Sequence, residues 1–215
     1  MKVAVLGSGI VGQVLATAFL KEGYEVMLAS RSITKPEVID WQTKNPSGKI
    51  GVFAEAAQYG EWIVLAVKGN KALEVLELAG INNFPGKIVI DVTNPIDDSR
   101  PPENGVLHFF TNLDRSLMEQ LQEKIPTAYF VKAFSCVGNS LMYKPSLSAV
   151  PTMFIAGNND EAKQTVTQIL TSFGWETADM GKAEAARAIE PLCILWCIPG
   201  FVNNQWMHAF KLIKP

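Results

Sequence analysis

Lys2-Val3-Ala4-Val5-Leu6-Gly7-Ser8-Gly9-Ile10-Val11-Gly12 is the stretch whose reading decides the fold. Its first five residues form a short apolar run that breaks at glycine, as expected of a parallel strand buried on both faces. Beyond the glycines, Val11, Val14, Leu15, Ala18 and Phe19 share one helical face, and Gly23 supplies a stop. A strand, then Gly-x-Gly-x-x-Gly, then a helix is the context in which this otherwise weak motif reads as a phosphate cradle. Gly7 permits the tight turn, Gly9 lets a pyrophosphate approach the backbone, and Gly12 lets helix and strand pack closely. The helix N-terminus, reached through Ser8, Ile10 and Val11, offers free N–H groups and a partial positive charge to the phosphates. The stretch therefore predicts a dinucleotide site.

Outward from it, Glu25–Ala29 reads as the second strand, and its end specifies which dinucleotide. A site for NAD usually places Asp or Glu there to bind the ribose 2′-hydroxyl. This chain reads Ser30-Arg31-Ser32 with Lys35 shortly after, and no acid stands between Ala29 and Pro36. A guanidinium flanked by hydroxyls hydrogen-bonds a 2′-phosphate, which an acid would repel, so NADP is expected. Trp62–Val67 and Lys87–Val92 are further strands with a helical Lys71–Leu78 between them, and Tyr129–Phe134 is a fifth. At the carboxyl ends of these strands, Ala66, Val67, Lys68 and Asn94 are expected beside the nicotinamide. A loop lysine is more often solvated than catalytic, and Lys68 is read that way.

The later part repeats the logic more loosely. Thr152–Ala156 reads as a strand, and Asn158 with Glu161 as a capping pair. Val166, Ile169, Leu170 and Phe173 form a helical stripe, and Glu176–Met180 a last strand. Ile189, Leu192, Cys193 and Trp196 recur at helical spacing, with Pro191 kinking or restarting that helix. Pro95–Gly105 reads as a surface loop. The alternation implies an α/β fold: a doubly wound, mostly parallel Rossmann sheet with a small C-terminal helical/αβ appendage. Residues 1–145 are expected to form the NADP-binding domain and 146–215 the small C-terminal part.

Composition narrows the function classes. Of 215 residues 48% are apolar, and charged residues make up only 19%, with net charge -2. That balance lacks the basic stripe of a nucleic-acid binder. The N-terminus shows no signal peptide. Pro191–Val202, interrupted by Pro199 and Gly200, is read as shorter than the roughly 20 residues a membrane span needs and so as core or interface. Cys136, Cys193 and Cys197 fit a reducing cytoplasm. No Cys/His pair completes a zinc site with Cys193 and Cys197, and His108 and His208 receive no role. Tyr143 and Lys144 are adjacent rather than on one helical face, and no proton donor is evident. No catalytic side chain is therefore expected, and hydride would pass directly between two rings.

Gly7–Gly12, Ala29-Ser30-Arg31-Ser32, Val131-Lys132-Ala133-Phe134 and Ile189-Glu190-Pro191-Leu192, in this order, carry a resemblance over nearly the whole chain. With them the chain resembles the coenzyme F420-dependent NADP oxidoreductases, and it is similar to the cytosolic reductase domain of six-transmembrane metalloreductases. The resemblance implies a homodimer with NADP(H) on the Rossmann domain and a deazaflavin in a cleft against the C-terminal part. It assigns Ser8, Ser30, Arg31, Ser32 and Lys35 to NADP. It makes Phe134-Ser135-Cys136-Val137-Gly138 the wall beside the deazaflavin, with Ser135 and Val137 as contacts; archaeal members have His where this chain has Ser135. Trp196, Phe201, Trp206 and Phe210 are expected at the acceptor cleft or a dimer interface. The expected function is an NADP(H)-dependent oxidoreductase whose partner is a small-molecule redox acceptor, coenzyme F420 or a flavin. The alternative is an NADP(H)-sensing regulatory protein without turnover.

Overall fold

Strand β1 (Lys2–Leu6) sends Val3 and Val5 into one core and Ala4 and Leu6 into another, which is why its residues are apolar without alternation. In the computed structural model, which describes residues 1–213, β1 lies inside an eight-stranded sheet of order β3-β2-β1-β4-β5-β6-β7-β8. Residues 214–215, the end of the expected C-terminal part, lie outside the described residues. The other strands are β2 (Glu25–Ser30), β3 (Lys49–Val52), β4 (Trp62–Leu65), β5 (Ile88–Asp91), β6 (Tyr129–Lys132), β7 (Thr152–Gly157) and β8 (Glu176–Asp179). Strands β1 to β6 run parallel, β7 pairs antiparallel with β6, and β8 runs parallel to β7. The first six thus have the Rossmann order, which reverses direction between β1 and β4 and opens a crevice there.

The helices are α1 (Ile10–Lys21), α2 (Pro36–Lys44), α3 (Phe53–Tyr59), α4 (Ala72–Leu78), α5 (Leu117–Lys124), α6 (Asp160–Ser172), α7 (Ala186–Ile189) and α8 (Leu192–Asn203). Helix α1 stops where expected: Gly23 has φ +84°, and the Tyr24 N–H returns to the Phe19 carbonyl at 3.1 Å. The C-terminal part continues the same sheet and the same core. Phe173, after α6, meets Phe19 of α1 edge-on with ring centroids 5.1 Å apart.

Three expectations are corrected. The cap of α6 is Asn159, whose side chain accepts from the Ala162 N–H at 2.8 Å; Asn158 instead accepts from the Ala183 N–H at 3.0 Å. Between Ser32 and Trp62, where sequence pattern named no element, stand α2, β3 and α3, and likewise α5 before β6. Their signals are weak because α2 buries only Val38 and Trp41, and β3 is four residues long with a glycine. Finally, the apolar C-terminal helical run begins at Ala183 and extends through Pro191 to Asn203, 21 residues, so by length and composition it is long enough to cross a membrane. In this fold one face packs on the domain, with Ile189, Cys193 and Trp196 buried.

The two sequence stretches Val131–Phe134 and Ile189–Leu192 meet in a buried ionic triad. Lys132 Nζ donates to the Thr93 carbonyl at 2.8 Å and is ion-paired with Asp91 Oδ2 at 2.7 Å and Glu190 Oε1 at 3.0 Å. All three side chains are fully buried or nearly so. Burial opposes the charge on Lys132, but Asp91 and Glu190 more than offset it and raise its pKa above the ordinary lysine value. Glu190 also accepts from the N–H groups of Leu117 and Met118, both at 3.0 Å, and so sits on the positive end of α5. Beside it, Ser116 and Glu119 form a capping box, and the Arg187 guanidinium grips the Glu119 carboxylate through both oxygens. That guanidinium holds Glu119 down to about 2.

Two stability outcomes follow from these contacts. Lys132→Met leaves two buried carboxylates without a cation, and its urea unfolding should show a loss of about 3–5 kcal/mol. Arg187→Gln should lower the unfolding midpoint by a constant amount above pH 5, roughly where an unpaired Glu has finished titrating. Because Glu119 is depressed in the folded state, that difference should close as pH falls toward 2.

Candidate dinucleotide and acceptor site

The three glycines of the N-terminal turn differ in what a side chain would meet. Gly7 has φ +130°, and a Cβ there would stand 2.2 Å from the Ala66 carbonyl oxygen; at Gly12 it would stand 1.9 Å from the Gly7 carbonyl oxygen. Both are glycine because the protein packs against itself there. At Gly9 a Cβ would meet nothing within 4 Å, and the backbone is extended at φ -69°. Folding alone therefore leaves Gly9 free to vary, and the reason for glycine lies outside the chain, in a group that must approach the backbone. That is the fit required of a pyrophosphate at this turn.

On one side of the turn lies a cavity of about 300 Å³ whose lining includes Gly7, Ser8, Ser30, Arg31, Lys35 and Lys71. Phe53 and Val75 add apolar wall. Ser8 donates to Ser30 across 3.1 Å, so these two hydroxyls are turned inward and are largely buried. Ser32, by contrast, does not line this cavity; it is half-buried and pairs with Thr34 at 2.7 Å. Lys71 and Phe53 escaped the sequence reading because each reaches the cavity from a different crossover. The signal for Lys71 is that β4 and β2 flank β1, so the turn after β4 faces the end of β2.

On the other side, over the ends of β1, β4 and β5, a cavity of about 280 Å³ is lined by Ile10, Val11, Ala66, Val67, Lys68, Val92, Asn94, Ile96 and Asp98, among others. The two cavities share Gly9, Ala66, Val67 and Lys68 and form one trough. Lys68 reaches over it to Asp98 at 3.0 Å, tying the turn after β4 to the 95–105 loop. Gly69 fixes the floor: a Cβ there would lie 2.1 Å from the Asn94 carbonyl oxygen.

Ser135 and Val137 line neither cavity; both are buried behind the trough, with Cys136 between them. The link is Asn94, whose Nδ2 donates to the Ser135 carbonyl at 3.1 Å. Asn94 Oδ1 and Ser135 Oγ are buried without a partner, unused hydrogen-bonding capacity next to the apolar end of the trough. The wall itself is strained at its first residue: Phe134, buried and not glycine, has φ +61°. Gly138 closes it against α8, since a Cβ would stand 2.5 Å from the Trp196 ring. Trp196 donates to the His208 carbonyl at 2.8 Å and stacks on its ring at 5.1 Å, pinning the tail. Phe201 is 47% exposed and meets Trp206 edge-on at 5.3 Å. Burial pushes the Cys136 thiol up to about 12, which removes it as a nucleophile near neutral pH.

Comparison with known proteins agrees with this geometry. Residues 2–95 match the family model described as NADP oxidoreductase, coenzyme F420-dependent. A structure from Arthrobacter sp. FB24, described as a candidate F420-dependent NADP-reductase, superposes with TM-score 0.94 at 30% identity, each chain covering 100% of the other. Rat metalloreductase STEAP3 is 28% identical over 211 residues, which is 92% of this chain and 38% of that protein. The chain thus spans well under half of that curated relative. The reductive aminase of Aspergillus terreus, solved with NADPH, shares the fold at TM-score 0.68 and 16% identity, over 94% of this chain and 63% of that one.

The glycines allow a clean separation of binding from folding. Gly9→Ala, whose methyl meets nothing in the folded chain, should cost at most the roughly 1 kcal/mol of a poorer helix cap while losing dinucleotide affinity at least about tenfold. Gly12→Ala, whose methyl would strike backbone, should instead lower the midpoint. Calorimetric titration alongside unfolding curves checks both, and a Gly9→Ala variant as destabilised as Gly12→Ala would remove the argument for an external ligand.

Proposed function

Because the chain belongs to the coenzyme F420-dependent NADP oxidoreductase family, we propose that its trough binds NADP(H) and that hydride passes between the nicotinamide and a flavin-like ring, coenzyme F420 or a flavin. The observation that carries this reading is the polarity of the trough. One end gathers Arg31, Lys35 and Lys71 around the end of β2, and the other is a mostly apolar slot over β1, β4 and β5 whose charged lining groups, Lys68 and Asp98, neutralise each other. A dinucleotide with a phosphate on its adenosine ribose needs cations at one end and a shelf without net charge at the other.

In this reading Arg31 and Lys71 hold the 2′-phosphate, with Lys35 adding charge at the rim. The backbone at Gly9 and the N-terminus of α1 carry the pyrophosphate. Val67, Val92 and Ile96 exclude water from one face of the slot, and Asn94 orients the amide end. NADP(H), when bound, supplies the hydride itself. The chain's contribution is proximity and orientation, which can lower a barrier by several kcal/mol without any acid or base. The Lys68–Asp98 pair must part or swing aside for a second ring to stack on the slot, and Lys68, already paired and largely exposed, has no proton-transfer task. The homodimer that the resemblance implies belongs to the same proposal, with Leu195, Phe201 and Val202, exposed along α8, as its contact face.

Mixing the protein and NADPH with coenzyme F420, FMN, FAD or a ferric chelate, and following the nicotinamide absorbance, should show oxidation with at least one acceptor. Arg31→Ala should weaken NADPH at least about tenfold and leave NADH nearly unchanged. Tight NADPH binding with no oxidation by any acceptor would move the protein to the regulatory alternative.

A further inference from the structure

We infer that Glu74 is an internal counter-ion of the 2′-phosphate pocket and sets how strongly that pocket prefers NADP(H) over NAD(H); this rests on the NADP(H) reading above. Glu74 stands on α4, outside the β2 end where an acid would select NAD. Its two oxygens are divided between the cations of the pocket. Oε1 is 3.4 Å from Arg31 Nη2, and Oε2 is 2.9 Å from Lys71 Nζ. Arg31 follows β2 and Lys71 precedes α4, so the two cations come from different crossovers and share this one carboxylate.

The consequence is a competition. Both cations line the cavity, and a phosphate entering it needs the N–H donors that Glu74 now occupies. The Lys71 ammonium, first, and the nearby Arg31 charge hold Glu74 below the ordinary glutamate range, so it stays anionic wherever the protein is assayed near neutrality. A 2′-phosphate must therefore displace the carboxylate or share the cations with it, and sharing places like charges within a few ångströms. NAD(H) lacks that phosphate and meets no such competition. The size of the effect is bounded by exposure: Arg31, Lys71 and Glu74 side chains are 53%, 49% and 43% exposed, so water and salt screen the pairs. The other acid at this end is Glu37, 3.8 Å from Lys35, a looser pair that leaves the Arg31–Lys71 clamp untouched.

Calorimetric titration of the full chain with NADPH, NADH, 2′,5′-ADP and 5′-AMP tests this. Glu74→Gln, nearly isosteric and on an exposed helix face, should bind NADPH and 2′,5′-ADP about 3- to 10-fold tighter. NADH and 5′-AMP should stay within about twofold, and the NADPH gain should shrink as salt is raised. Lys71→Met should do the reverse, weakening only the two phosphate-bearing ligands. Unchanged or weaker NADPH binding by Glu74→Gln overturns the inference, and so does an equal gain for NADH. A wild-type protein with no preference for NADPH over NADH, or for 2′,5′-ADP over 5′-AMP, would instead defeat the NADP(H) reading itself.

Discussion

The ammonium of Lys132 is the point through which the two walls of the site are held together. It lies at the end of β6, fully buried, donates to the Thr93 carbonyl and is ion-paired with Asp91 on β5 and Glu190 before α8. Asp91 in turn accepts from the Thr93 N–H at 2.9 Å and from its hydroxyl at 2.7 Å. The turn that carries Asn94 is thereby fixed from three directions, and Gly69 and the 66–69 turn rest on it. Through Glu190 the same cation fixes where α8 leaves the domain, and hence where Trp196 meets Gly138. A hydrophobic triad of equal volume could be as stable. What the ionic triad adds is that one set of contacts joins the Thr93 carbonyl, the N-terminus of α5 and the start of α8.

The legible and illegible parts of the sequence divide along physical lines. Strands β1, β4 and β5 were readable because both their faces are buried, so the apolar run survives without any knowledge of partners. The glycine turn was readable because its constraint is local. Glu190 and Lys132 could be quoted as recurring residues, yet their roles could not be read, since 58 positions of chain separate two charges that meet only after β6 and α8 are placed. Lys71 and Glu74 received no role from the sequence, because an i, i+3 pair on a helix is common, and only the strand order brings Arg31 to them. The capping residue slipped by one because Asn158 and Asn159 are the same residue type, and helix phase alone does not choose between them.

A related division separates what the site can exchange from what it cannot. Around the trough, Arg31, Lys71, Glu74, Lys68 and Asp98 form pairs that are open to water, so a ligand group replaces a partner at little cost. Beneath the trough, Asp91, Lys132 and Glu190 have no water to fall back on, so losing one partner leaves an uncompensated charge in the core. A dinucleotide entering from solvent therefore rearranges the rim and leaves the floor in place. For a reaction with no acid or base to contribute, that is the required arrangement. Under the hydride transfer proposed above, the benefit comes from holding two rings in register, and register is kept by the part of the structure that binding leaves in place.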